Sequence, residues 1–279
     1  MFLVGQCGEN IGYTPLLDDY PGAIAAYSVR LLNSSYLGPG VTIQRSTDAA
    51  TQDIYYCGSG NLDIDAVDEF LGVASGIVTV WHDQSGNNND ANWNSSNGFY
   101  INRAGAVPFL EARAAAISQY NTGLYLSDIT IFFAADTRAY AYPGMNYAAR
   151  MITSYVGTGP LAASDKIFDV YNQNTTPVFR FRSSGVTVTN NTYTPGMHIH
   201  YGLGVNGKAI TLGWDGANTT IGATHGSTIN VRAIHLFEDT GGSNIELLTS
   251  VFEIIIYNSD QSANRTAIEG NMNSYYSIY

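Results

Sequence analysis

The sequence predicts a mainly β protein, an antiparallel β-sandwich or jelly roll with a few short helices, one of them at the C-terminus. Three observations predict it. From about residue 107 onward, short apolar and β-branched runs recur at close intervals. Turn formers separate them, among them Ser184-Gly185, Asn206-Gly207 and Asp215-Gly216. No Pro-rich or Ser-rich linker and no fixed-period repeat divides the chain. Many short strands at such spacing are what a sandwich is built from.

The elements follow in order. Asp19-Tyr20-Pro21-Gly22 precedes an Ala-rich stretch, Ala23 to Leu32, and together they read as a helix start and a helix. Gly40 to Arg45 alternates and reads as a strand. A second helix is expected from Asn61 to Leu71, capped by Asn61, striped by Leu62, Val67, Phe70 and Leu71, and ended by Gly72. Gly76 to Trp81 is a β-branched strand that runs into a turn-rich loop, Asp83 to Asp90. Strands are then expected over 107–110, 129–135, 151–156, 167–171, 178–182, 186–189, 199–205, 209–214, 231–237 and 249–257. The Asn206-Gly207 pair joins two of these as a hairpin. Ala263 to Tyr276, with Ile268 and Met272 one turn apart, reads as a terminal helix capped by Ser259 or Asp260. The organisation expected is a lead-in segment, 1–20, and one sandwich domain, 21–279.

Composition bounds the function. The 279 residues hold 12 basic and 23 acidic side chains, a net charge of −11. That field repels phosphate backbones and anionic membrane surfaces, so neither nucleic acid nor membrane is an expected partner. No apolar run reaches the ~20 residues of a spanning helix, and Met1-Phe2-Leu3-Val4 is too short and too uncharged to read as a secretory signal. Charged residues are only 13% and Lys166 and Lys208 are the only lysines, so the surface is built largely from Asn, Ser, Thr, Gly and Tyr. Interfaces share that Lys-poor, Tyr-rich bias. Cys7 and Cys57 could pair or stay as free thiols.

Few residues suggest chemistry. The Asp83–Asp90 loop holds hard-oxygen ligands but lacks calcium-loop spacing, and a turn closed by Asp and Asn side chains is the simpler reading. The 63–69 acidic cluster reads as a solvated helix face. His198 and His200 share one face of a strand with no further ligand to complete a metal site; no metal and no cofactor is expected. Glu253 lies in an apolar strand, where alternation puts it on the outer face or the rim. Trp93, Tyr140, Tyr142, Tyr147 and Trp214, near turn formers, are the candidate aromatic contacts for glycans or protein partners.

An ordered series of segments carries a resemblance. Ala25 to Leu32 (AAYSVRLL), Val41 to Asp48 (VTIQRSTD), Gln52-Asp53-Ile54 and Val80 to Asn87 (VWHDQSGN) resemble the N-terminal part of the arabinofuranosidase B-type catalytic domain, a concanavalin A-like sandwich. Similar segments recur in proteins of tailed bacteriophages and environmental bacteria. The closing Phe252 to Asn258 with its helix is similar to the end of laminin-G-like jelly rolls. The resemblance implies retaining glycoside hydrolysis, which needs a nucleophilic and an acid/base carboxylate. It matches the nucleophile's Met-Glu strand motif to Met151-Ile152, placing an isoleucine where the attacking glutamate belongs, and it offers Asp239 as the acid/base group. The family's adjacent cysteine pair is missing. Three functions follow as expectations. The first is a non-catalytic virion component, a capsid decoration or a fibre or tail protein of a bacteriophage, located in the virion and contacting other virion proteins, copies of itself and surface glycans. The second is a carbohydrate-binding module or adhesin, and the third an active arabinofuranosidase-type hydrolase.

Overall fold

The computed structural model describes residues 14–93, 99–103, 107–112, 120–121, 128–137, 148–155, 167–173, 176–183, 186–194, 196–216, 218–225, 233–236 and 250–279. Along the chain, α1 (Leu16–Asp19) precedes β1 (Ala23–Ser28), β2 (Val41–Arg45) and β3 (Thr51–Ile54). Then come α2 (Ile64–Leu71), β4 (Gly76–Trp81), β5 (Ala91–Trp93), β6 (Phe99–Asn102), β7 (Phe109–Ala112) and β8 (Tyr120–Asn121). The next strands are β9 (Ile129–Asp136), β10 (Ala148–Tyr155), β11 (Ile167–Gln173), β12 (Thr176–Ser183) and β13 (Val186–Asn190). The chain finishes with β14 (Met197–Gly204), β15 (Ala209–Trp214), β16 (Asn218–Thr224), β17 (Ala233–Leu236), β18 (Ser250–Tyr257) and α3 (Arg265–Tyr276). The fold is mainly β, as expected, with short helices that include a C-terminal one.

Every described strand pairing is antiparallel. One layer runs β16-β15-β14-β9-β18-β1. The other contains β3-β2-β4-β6-β7. From the far end of β4 it extends through β5-β8-β17-β10-β11-β12-β13. The layers meet where β7 pairs with the first residues of β18. Ile131, Phe133 and Ala135 of β9 and Ile254 and Ile256 of β18 face the core between the layers, with Trp81, Phe179, Phe181 and Leu212. The alternate residues, Phe132 and Ala134 of β9 and Ile255 and Tyr257 of β18, face a second core closed by Leu16 and Leu17 of α1 and Ile268 and Met272 of α3. Central strands buried on both faces read as continuous apolar runs.

That double burial corrects the first helix. Ala23 to Ser28 is a strand, paired with β18 in register Ala25↔Ile256 to Ser28↔Glu253. Ala25 and Tyr27 enter the inner core while Ala23 and Ala26 enter the outer one. A strand buried on both sides loses its period of two, and alanines chosen for close packing imitate helix propensity; tertiary burial overrides that weak prior. The other helices begin later than their sequence signals. Asp63, not Asn61, caps α2 by accepting from the Ala66 N–H at 3.0 Å, and Gly72 ends it at φ +54°. Asn264 stands at the start of α3, in place of Ser259 or Asp260. The Val205–Lys208 turn closes the β14–β15 hairpin with Gly207 at φ +76°, and Asp215 (φ +52°) and Gly216 (φ +69°) turn β15 into β16. Cys57 is disulfide-bonded, and Cys7 is the only other cysteine of the chain.

Candidate active site

Of the two positions singled out by the catalytic motif, the structure describes one, in the second layer. Ile152 lies on β10, where the register slips by one residue after Arg150. It pairs with Phe168 of β11 on one side and Leu236 of β17 on the other. Phe168 in turn pairs with Phe181, and Phe181 with Val188. In the other direction Leu236 pairs with Tyr120, and Tyr120 with Trp93. Position 152 thus shares a cross-strand row made only of apolar and aromatic residues, and Phe181 and Val188 of that row are buried. Asp239 is three positions beyond Leu236 in the sequence and lies outside the described residues, as do Tyr140, Tyr142 and Tyr147.

Trp93 is the last residue of β5, on the row that holds position 152. Trp214 is corrected as an exposed platform. It is 7% exposed and packs edge-on against Phe179 and Tyr193 in the inner core. The turn chemistry around it placed it near a loop, yet the last residue of β15 still faces inward.

The polar clusters serve the scaffold. Both oxygens of Asp83 accept hydrogen bonds, Oδ1 from the Ala26 and Ser85 N–H groups and Oδ2 from the Ser85 hydroxyl and the Asn89 N–H. Asp90 accepts from the Asp83 N–H and meets His82 Nδ1 at 3.1 Å. Gln84, fully buried, accepts from the Leu32 N–H and donates to the Arg30 carbonyl and the Tyr56 hydroxyl. The segment Trp81 to Asn89, which carries much of the sequence resemblance, therefore pins β1 and its continuation to the end of β4. Among the described residues, no group of three or more His, Cys, Asp or Glu is arranged to hold a metal ion.

His198 and His200 do share a face of β14. His198 Nδ1 meets Asp215 Oδ2 at 2.5 Å and Nε2 meets the Thr194 carbonyl at 2.8 Å. Burial opposes its charging, but the hydrogen bond and charge of Asp215 outweigh that and raise its pKa. His200 is fully buried, stacked on Phe133 with ring centroids 4.4 Å apart, and receives or donates a 2.8 Å hydrogen bond with the Tyr193 hydroxyl. Burial, with the nearby His198, holds its pKa well down.

Glu253 is corrected as well. It does lie on the outer face, in line with Ile255 and Tyr257 and opposite Ala134, but that face is covered by Tyr276 of α3 and by Arg30, so the carboxylate is fully buried rather than exposed. Arg30, also fully buried, grips it through Nε at 2.6 Å and Nη2 at 2.9 Å. The hydroxyls of Ser28 and Tyr276 donate to the same carboxylate at 2.9 Å each, and the guanidinium lies over the rings of Tyr275 and Tyr276. The sequence shows Arg30 and Glu253 only as lone charges in apolar runs, 223 residues apart; two opposite charges each set in an apolar run are the one signal that could have paired them.

Comparison with known proteins agrees with this geometry. The family described as "Alpha-L-arabinofuranosidase B, catalytic" matches residues 18–154, just under half of the chain, from the end of α1 through β10. The chain is similar to the alpha-L-arabinofuranosidase B of Emericella nidulans, 39% identical over 30% of this chain and 18% of that protein. Among solved structures it is similar to an arabinofuranosidase complexed with arabinofuranosyl-alpha-1,2-xylobiose, with a TM-score of 0.65 and 15% identity. It is likewise similar to a GH54 α-L-arabinofuranosidase soaked with a cyclic sulfate inhibitor, with a TM-score of 0.62 and 17% identity. Each of these likenesses covers 90% of this chain and 62% of the other. The chain thus spans less than two thirds of the proteins it matches. These matches overturn the expected virion component, with its capsid, fibre and tail roles: they point to arabinofuranosidase-type glycoside hydrolases. The Lys-poor, Tyr-rich composition that suggested assembly suits a polar, uncharged sugar-handling surface equally well. The chain is a β-sandwich, glycoside-hydrolase-like domain related to the arabinofuranosidase B catalytic domain.

Proposed function

We propose that the chain acts on α-L-arabinofuranosyl groups as an arabinofuranosidase-type glycoside hydrolase. The observation that carries this reading is the family match through β10 together with a fold likeness over 90% of the chain. In such hydrolysis one carboxyl group protonates the departing glycosidic oxygen while a second carboxylate attacks the anomeric carbon or activates water. Asp239 is the candidate acid/base group that the resemblance offers. The partner carboxylate comes from a position other than 152, since an isoleucine side chain forms no glycosyl ester.

The test is release of 4-nitrophenol from 4-nitrophenyl α-L-arabinofuranoside by the full chain. Turnover is expected, and Asp239→Asn is expected to lower kcat by roughly 100-fold or more. A chain that shows no release overturns the hydrolytic reading.

A second reading has its own observation. The apolar row through Ile152 supports a domain that holds arabinofuranosyl groups without cleaving them. Under it, the wild-type chain binds an arabinofuranosyl oligosaccharide in a calorimeter and releases no nitrophenol, and Ile152→Glu supplies the missing carboxylate and gains turnover. Nitrophenol release by the wild-type chain refutes it.

A further inference from the structure

A cleft of about 330 Å³ opens on the outer side of the second layer, between the α2–β4 connection and β6. It is lined by Leu71, Val73, Ser75, Tyr100, Asn102 and Arg103, among others. It exists because α2 stops abruptly. Gly72 takes φ +54°, the Ala74 N–H bonds back to the Leu71 carbonyl, and the chain re-enters β4 at Gly76. Leu71 packs so closely on Gly76 that a Cβ there would stand 2.7 Å from its Cδ1, which fixes the floor. β6 buries Phe99 and Ile101 and leaves Tyr100 and Asn102 partly exposed on the cleft side.

We propose that this cleft binds a neutral saccharide of one or two sugar units. The choice of a saccharide rests on the arabinofuranosidase reading above; the cleft as a site does not. Its volume is at the lower end of the ~300–1,000 Å³ of ligand clefts, which suits a small ligand. Its walls combine an apolar and an aromatic surface, the fully exposed Val73 and the Tyr100 ring, with planar polar groups. The Asn102 amide donates to Glu111 at 3.2 Å, which holds that amide in place. A sugar presents the matching chemistry, with C–H faces for the ring and hydroxyls for the amide and the Ser75 hydroxyl. Arg103 does not make the cleft an anion site. Its guanidinium is bound to Asp68 at 2.6 Å and donates to the Gly72 carbonyl at 3.0 Å, so its charge is already balanced. In the hydrogen-bonded strand order, β4 is separated from β10 by β5, β8 and β17, so this site is distinct from the neighbourhood of position 152.

The experiment is calorimetric titration of the full chain with a neutral xylose oligosaccharide, which carries no arabinofuranosyl group for the hydrolytic site, and with citrate as an anionic probe. Millimolar binding of the oligosaccharide and none of citrate is expected. Tyr100→Ala is expected to weaken it at least tenfold, and Ser75→Tyr, which fills the cleft without removing a core contact, to abolish it, each with an unchanged thermal midpoint. Both variants are expected to process the small aryl arabinofuranoside like the wild type, whereas Asp239→Asn leaves cleft binding intact. Oligosaccharide binding that survives both cleft variants, binding of citrate alone, or no binding overturns the proposal. Nitrophenol release is read separately, so failure of the cleft and failure of the hydrolytic reading are told apart.

Discussion

Glu253 and Arg30 form the most exposed point of failure at the scale of single residues, because neither charge has water to fall back on. Two charges taken from water are stable only while each satisfies the other, and removing one partner of such a pair typically costs about 3–5 kcal/mol. Glu253→Gln keeps the shape but removes the charge facing the guanidinium. Urea unfolding of this variant is expected to show an unfolding free energy lowered by an amount in that range, read as a lower midpoint at an unchanged m-value. The two histidines of β14 behave oppositely with pH. His198 has a raised pKa, so its contribution is complete below the ordinary value of 6.5 and is lost as pH rises through the folded value. His200 has a depressed pKa, so its contribution is complete above 6.5 and is lost as pH falls through the folded value. The wild-type chain therefore gains least from His198 at alkaline pH, and His198→Asn is expected to destabilise it at pH 6 more than at pH 9. Equal losses at the two pH values, measured by chemical unfolding, would remove the Asp215 ion pair from the account.

At the scale of elements, the layers touch where side chains leave room. A Cβ built on Gly222 of β16 would stand 2.0 Å from Cγ2 of Val188 on β13. Val is stiff about χ1, so it cannot swing aside cheaply. Gly222→Ala is expected to destabilise the protein by about 1–3 kcal/mol as overpacking, and Val188→Ala in the same chain is expected to restore part of the loss; thermal melting of the single and double variants checks this. Elements were legible in the sequence where burial is one-sided or where a turn imposes its own chemistry. β2 and β4, the β14–β15 hairpin at Asn206-Gly207 and the Gly72 stop of α2 are of this kind. β1 was not legible, since a strand of alanines between two cores has no alternation to show. β3, β5, β8 and β16 were missed for a related reason: short edge or linking strands rich in Thr, Asn and Gln carry little hydrophobic signal. Of the site, the Met151-Ile152 motif could be placed by resemblance. The apolar row through Ile152 could not, because cross-strand register depends on segments far apart in sequence.

At the scale of the whole molecule, Cys57 is disulfide-bonded, and the sequence holds one other cysteine, Cys7. Closing a loop of that length in the unfolded chain removes conformational freedom worth about 4 kcal/mol in the chain-entropy account. Reduction with dithiothreitol is expected to lower the unfolding free energy by up to that amount without abolishing the sandwich, since Cys57 belongs to neither core; an unchanged melting curve after complete reduction would contradict it. A different constraint follows from β1 lying beside β18. Ala25 to Ser28 find their only described strand partner at residues 253–256. During synthesis on the ribosome the first strand must wait, unpaired, until nearly all of the polypeptide has emerged, and pairing across so long a separation is intrinsically slow. Nascent chains released early by a premature stop would carry an orphaned edge of alanines and isoleucines, ready to pair with the wrong neighbour.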